Sequence, residues 1–199
     1  LLTDPNKSLD ITQSHNDTAD HDVLKLSLPS NAPDENLSVV VLELDGFPDV
    51  DPLSLQQPNG SVTLIPSMAE LHGPGADDIA IAMTGMTRNW YKTDRFVSWQ
   101  FKINTPGTFE VKVITGPSGF EGWKGGHRIS VNVANGSLET DITPDEKIES
   151  INTHYFPEFA TRIGSVEINS PGVYELILEA LDIDAENRSG LTVESVTLT

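Results

Sequence analysis

Apolar and polar residues alternate with period two along most of the chain, and the alternating segments are separated by short clusters of Gly, Pro, Asn and Asp. This is the pattern of half-buried β-strands joined by turns. It predicts strands at Leu9 to Gln13, Val23 to Leu28, Leu37 to Leu44, Ser61 to Ile65, Ile79 to Met83, Phe96 to Ile103 and Thr108 to Ile114. Further strands are predicted at Arg128 to Val133, Arg162 to Ile168, Val173 to Leu181 and Thr192 to Leu198. No long amphipathic helix stands out. The predicted fold class is all-β, an antiparallel β-sandwich preceded by a few strands of a smaller β domain.

The first strands close at Leu44-Asp45-Gly46, and the stretch after them is rich in Pro, Asp and Gln without a clear period. The expected organisation is therefore residues 1–46 as the end of a small β domain, 47–60 as a linker and 61–199 as a complete sandwich. The first piece has too few strands to bury a core alone. Either it docks on the following sandwich, or it completes a preceding β domain.

The second part contains an internal repeat. Ile103-Asn104-Thr105-Pro106-Gly107-Thr108-Phe109-Glu110-Val111 matches Ile168-Asn169-Ser170-Pro171-Gly172-Val173-Tyr174-Glu175-Leu176. Pro at the second turn position and Gly at a positive-φ position predict a type II turn between adjacent strands in each copy.

Charge narrows the partners. The chain of 199 residues has 12 Lys and Arg against 30 Asp and Glu, a net charge of −18, which disfavours nucleic acid and anionic membrane surfaces. It has no Cys, so disulfides, thiolate zinc sites and a cysteine nucleophile are excluded. Apolar runs such as Val39 to Leu42 are far short of a bilayer span, and Leu1 to Asp10 has neither the basic start nor the apolar stretch of a signal peptide. The pattern also excludes a (β/α)8 barrel, which needs about 250 residues and a different period.

The five histidines are scattered without metal-ligand spacing. His72, in Leu71-His72-Gly73, is expected to fix a turn through a backbone hydrogen bond. Asp182-Ile183-Asp184-Ala185-Glu186 begins like a calcium loop, but Asn187 and Val193 stand where such a loop needs Gly and Glu. It reads as a solvated acidic loop. Asn6, Asn16, Asn36, Asn59, Asn135 and Asn187 lie in N-x-S/T sequons.

Sugar recognition needs an aromatic face for the C–H side of a pyranose and polar groups for its hydroxyls, held on loops of a rigid scaffold. Two loops have that composition. Thr87 to Asp94 sets Trp90 and Tyr91 among Arg88, Asn89, Lys92 and Asp94, and Gly116 to His127 sets Phe120 and Trp123 among five Gly, Lys124 and His127. A third loop adds Asn187 and Arg188. The stacking candidates are Trp90, Tyr91 and Trp123, with a purely structural role as caps on the end of the sandwich as the alternative. Arg88, Lys92, Lys124, Arg128 and Arg188 lie in or beside these loops and suggest a locally basic patch suited to a sulfated or carboxylated glycan.

The run Leu2-Thr3-Asp4-Pro5-Asn6-Lys7-Ser8-Leu9, with Leu28-Pro29, Ala32-Pro33-Asp34 and Val39 to Gly46, resembles the antiparallel β domain that follows the catalytic barrel of bacterial α-L-fucosidases. The later residues Gly60 to Leu64, Ala69 to Gly73, Val97 to Phe101, the Pro106-Gly107 turn and Ile163 to Ile168 are similar to the galactose-binding-like sandwich of many carbohydrate-binding modules. The resemblance implies that the natural protein is a secreted or periplasmic bacterial glycoside hydrolase. It implies that this region is non-catalytic, partnered by a catalytic domain and by fucosylated or sulfated polysaccharide. It also implies a structural Ca²⁺ near a first-strand glutamate, for which Glu70 is the match. The rival expectation is a structural accessory domain that packs on the catalytic domain or mediates oligomerisation without binding glycan.

Overall fold

The computed structural model describes residues 9–16, 21–31, 39–46, 53–75, 78–83, 85–116, 123, 125–134, 136–148, 157–184 and 190–199. The chain divides into two compact units, Leu1–Val50 and Asp51–Thr199. In the first, β1 (Ile11–Asn16) and β2 (His21–Leu26) form an antiparallel hairpin with Ile11 opposite Leu26. Of the strand expected over Leu37 to Leu44, Leu37 and Ser38 lie outside the described residues, and residues 39–44 form no strand, with Val40, Val41, Leu42 and Leu44 exposed. A continuous apolar run has the composition of a buried strand, but it needs a pairing partner, and no strand pairs with it among the described residues.

The second unit is the sandwich. Its strands are β3 (Leu53–Leu55), β4 (Val62–Leu64), β5 (Glu70–His72), β6 (Ala80–Ile81), β7 (Thr87–Arg88), β8 (Phe96–Ile103), β9 (Gly107–Thr115) and β10 (Arg128–Val133). They continue with β11 (Gly136–Asp141), β12 (Glu146–Ile148), β13 (Glu158–Ile168), β14 (Gly172–Asp182) and β15 (Val193–Leu198). One sheet runs β11-β10-β14-β8-β3, with β5 also on β8, and the other runs β12-β13-β9-β15-β4. The fold is an all-β sandwich, as expected, with a short 3-10 turn at Pro66–Met68. Alternation sends Val97, Trp99, Phe101 and Ile103 of β8, and Leu176 and Leu178 of β14, inward against Val111 and Val113 of β9 and Val196 and Leu198 of β15.

Three details differ from the sequence reading. Within the expected linker, Leu53 to Leu55 pairs in parallel with β8 and buries Ser54; three residues between prolines are too few to show a period. The edge strands β11 and β12 are absent from the pattern because each has a single aliphatic side chain, Leu138 and Ile148. The third concerns the two Pro-Gly motifs, which are not type II hairpins. Gly107 and Gly172 have no positive φ and are the first residues of β9 and β14.

The repeat crosses between sheets instead. In the first copy the chain leaves β8 in one sheet and enters β9 in the other, and in the second it passes from β13 back to β14. The copies then pair with each other, Ile103 opposite Gly172 and Gly107 opposite Ile168. The repeat is thus a pseudo-twofold built into the core, and Pro, which lacks an N–H, occupies the corner where no ladder bond is required.

Candidate functional site

Antiparallel pairing decides which loops meet. Phe96 lies opposite Glu179, Arg128 opposite Asp182 and Val193 opposite Thr115. The loops before β8, between β9 and β10 and between β14 and β15 therefore emerge at the same end of the sandwich. These are the loops that carry the candidate sugar-binding residues.

Their aromatic residues have separate roles. Trp90 is fully buried in the core cluster. Its carbonyl accepts a hydrogen bond from the Leu191 N–H at 2.9 Å and its indole N–H donates to the Lys92 carbonyl at 3.2 Å. It also bridges Gly190. The stacking role expected for Trp90 gives way to a core role, because neither face of the indole reaches solvent. Asn89, at φ 62°, takes the left-handed conformation that Asn tolerates, and the next residues alternate, Trp90 inward and Tyr91 outward. Tyr91 is 50% exposed and donates from its hydroxyl to Asn89 Oδ1 at 3.3 Å, beside exposed Arg88, Asn89 and Lys92.

Trp123 is half-buried. Its indole N–H donates to Thr115 Oγ1 at 2.8 Å and its ring lies 4.9 Å from that of Phe159 at 54°. The expectation that His127 binds a sugar hydroxyl is overturned: the residue is 2% exposed, its Nδ1 accepts the Asp184 N–H at 3.2 Å and its carbonyl accepts the Ile142 N–H at 2.8 Å. Burial pushes its pKa down against the opposing pull of Asp184 and Asp182. Lys124, Asn187, Arg188 and Phe120 lie outside the described residues.

Of the expected basic patch, Arg88, Lys92 and Arg128 lie among the described residues. Arg128 is committed to Glu139 at 3.2 Å and Asp141 at 3.3 Å. Arg88 and Lys92 remain as exposed cations beside Tyr91.

Two features of this end escaped the sequence reading. Arg95, 3% exposed, donates to Asp78 at 2.9 Å and Asp94 at 3.1 Å, joining Asp78 to the segment that carries Tyr91. Buried Thr87 accepts from the Val193 N–H at 2.7 Å and donates to the Leu191 carbonyl at 3.3 Å. Nothing in a polar loop distinguishes a cation aimed inward from one in solvent. Nearby, burial pushes the Glu158 and Glu194 carboxyls up, and repulsion from Glu158 adds to the shift at Glu194.

Glu70 is exposed on β5 opposite Ser98. Among the described residues no group of three or more His, Asp or Glu side chains gathers as a metal site. His72 stacks on Phe96 at 4.6 Å, and its Nε2 lies 2.8 Å from Ser98 Oγ, a side-chain contact in place of the expected backbone bond.

No family model matches the sequence, and no curated protein matches it. Among solved structures the chain is similar to an α-L-fucosidase from Vibrio sp. strain EJY3, with TM-score 0.58 and 17% identity over 97% of this chain and 32% of that one. It is more loosely similar to a xanthan lyase from Paenibacillus, with TM-score 0.44 and 16% identity over 97% of this chain and 18% of that one. A GH26-CBM35 β-(1,4)-mannanase from Podospora anserina gives TM-score 0.42 and 17% identity over 70% of this chain and 27% of that one. The chain spans about a third of the fucosidase's length. Of the three, the fucosidase superposes closely enough to establish shared architecture, and the chain has the β fold of a region of that enzyme.

Proposed function

We propose that this chain is a non-catalytic carbohydrate-binding region of a secreted or periplasmic bacterial glycoside hydrolase of the α-L-fucosidase type, and that it takes fucosylated glycan at the loop end of its sandwich. The observation that carries the reading is the pairing of opposite roles in adjacent residues. Trp90, buried and bridged to Gly190, fixes the backbone, and Tyr91 presents a half-exposed ring flanked by Asn89, Arg88 and Lys92. A rigid aromatic face with amide and cationic donors beside it is the apparatus a pyranose requires. Trp123, tied along one edge to Thr115, contributes a partial second face. Among the described residues, Arg88 and Lys92 are the exposed cations beside Tyr91 that a sulfate substituent would meet.

A glycan array at low and high salt tests this. Tyr91→Ala removes the stacking face, and a loss of about 0.5–1.5 kcal/mol, roughly twofold to tenfold in affinity, is expected without change in melting temperature. Unchanged retention on the array sinks the reading. Binding that weakens steeply with salt identifies a sulfated ligand, and salt-independent binding a neutral one.

The structural-accessory reading is favoured for the first unit. Ile11, Leu24, Leu28, Val40, Val41, Leu42 and Leu44 are exposed there, an apolar surface that suits packing against a catalytic or neighbouring β domain.

A further inference from the structure

The end of the sandwich opposite the sugar-binding loops holds a groove of about 600 Å³, between the 56–60 loop and the corner that joins β8 to β9. Pro58, Pro106 and the edge of Phe109 supply its apolar surface, and Asn59, Asn104, Thr105 and Thr108 its polar groups. None of its lining residues has a charged side chain, in a protein whose net charge is −18.

Its walls are held in place by one glutamine. Gln56 Oε1 accepts from the Asn104 N–H at 2.9 Å and the Thr105 N–H at 2.8 Å, and Gln56 Nε2 donates to the Gly60 carbonyl at 2.9 Å and the Thr105 carbonyl at 3.2 Å. The corner's backbone is thereby satisfied, while the side chains of Asn104, Thr105 and Thr108 have no partner among the described residues. The pseudo-twofold mate of this corner is built differently. There Tyr174 sends its hydroxyl to the Ser170 carbonyl at 2.7 Å, with Ser170 Oγ at 3.0 Å, and closes the corner with its own ring. In the groove copy, Phe109 stands at the Tyr174 position without a hydroxyl, and Thr108 stands where the mate has Val173. One copy is self-sealed, and the other is open, polar and braced.

We propose that this groove is a second binding site, for a neutral saccharide unit whose hydroxyls meet Asn104, Thr105 and Thr108 and whose C–H face meets Pro58, Pro106 and Phe109. Uncommitted amide and hydroxyl groups match vicinal hydroxyls. No Lys, Arg or His side chain lines the groove to recognise an acidic sugar. The site is independent of the loop end and does not rest on that reading.

The test is an amide chemical-shift titration of the full chain with methyl α-L-fucoside and methyl β-D-galactoside, with galacturonate as the charged control. A neutral glycoside is expected to shift the Gly60, Thr105 and Gly107 amides, and the shifts should persist in Tyr91→Ala. The double variant Asn104→Ala, Thr108→Val should weaken binding about tenfold. Thr105→Arg, which leaves the backbone bonds to Gln56 in place, should abolish it. Thermal melts of the variants confirm folding. The proposal is overturned if neither neutral glycoside shifts these amides, if both groove variants bind like the wild type, or if galacturonate binds equally well. Failure of Tyr91→Ala to alter array binding would remove the loop-end site and leave the groove standing.

Discussion

Trp90→Ala separates scaffold from binding surface. The indole is 0% exposed, lies in the core cluster and is held at both polar ends, through its N–H to Lys92 and through its backbone to Gly190 and Leu191. Truncating a fully buried Trp costs about 3–5 kcal/mol, the sum of lost apolar transfer and the cavity left behind. A domain of this size loses about 2–4 °C of melting temperature per kcal/mol, so the fall should be about 6–20 °C. Trp90→Phe, which keeps most of the volume, should fall between the variant and the wild type. The assay is a thermal melt followed by circular dichroism, with glycan retention measured well below the transition. If Trp90→Ala melts within a degree or two of the wild type yet no longer binds glycan, the burial argument is wrong and Trp90 is a contact residue after all.

The buried framework makes further measurable demands. Gly190 has φ 69°, and a Cβ there would overlap the Trp90 carbonyl oxygen; Gly190→Ala should cost more than about 1 kcal/mol, and a melting temperature at or above wild type would contradict it. Arg95→Met leaves Asp78 and Asp94 without their shared cation, so the melting temperature should drop and proteolysis near Asp78 should speed up first. Arg95→Lys should not restore it, because a point charge cannot reproduce the fork. Glu158 and Glu194 have folded-state pKa values raised by burial, so their protonated forms are favoured by folding and the stability they contribute is full below the ordinary value of 4.5 and lost as pH rises through the folded values. Glu158→Gln and Glu194→Gln should therefore be more stable than wild type near neutral pH, and the advantage should vanish in urea melts below pH 4.5; a constant advantage at every pH would refute the assignment.

The long strands were legible because alternation over six or more positions is hard to produce any other way: β8, β9 and β14 lie within two residues of their expected bounds at each end. The loop cluster was legible in composition but not in geometry. Whether Trp90 or Tyr91 turns outward is decided by Gly190 and Leu191, a hundred residues away, and no local pattern contains that information. Distance also explains the misread Pro-Gly corners. The motif was visible, but a turn type presumes that the flanking strands are partners, and here each flanking strand pairs with the other copy of the repeat. Short strands such as Leu53–Leu55 and Glu70–His72 exist because β8 offers them an edge, a tertiary reason that leaves little trace in three residues.

Charge, too, is organised by position more than by total. Arg95, Lys112, Arg128 and Arg162 each reach two carboxylates: Asp78 and Asp94, Glu110 and Glu146, Glu139 and Asp141, and Glu110 and Glu146 again. Three of these groups lie on the sheets, where exposed pairs add little stability but set like charges apart. These four cations are thus each committed to local carboxylates. Arg88 and Lys92 are outside that arrangement and stand next to the one half-exposed aromatic ring of the 87–94 loop, while the groove at the far end is lined by no charged side chain. If the loop end and the groove both bind glycan as proposed, they would hold it at two points of different chemistry, cations beside an aromatic ring at one and uncharged amides and hydroxyls at the other, and a substituted polymer longer than the sandwich would engage both.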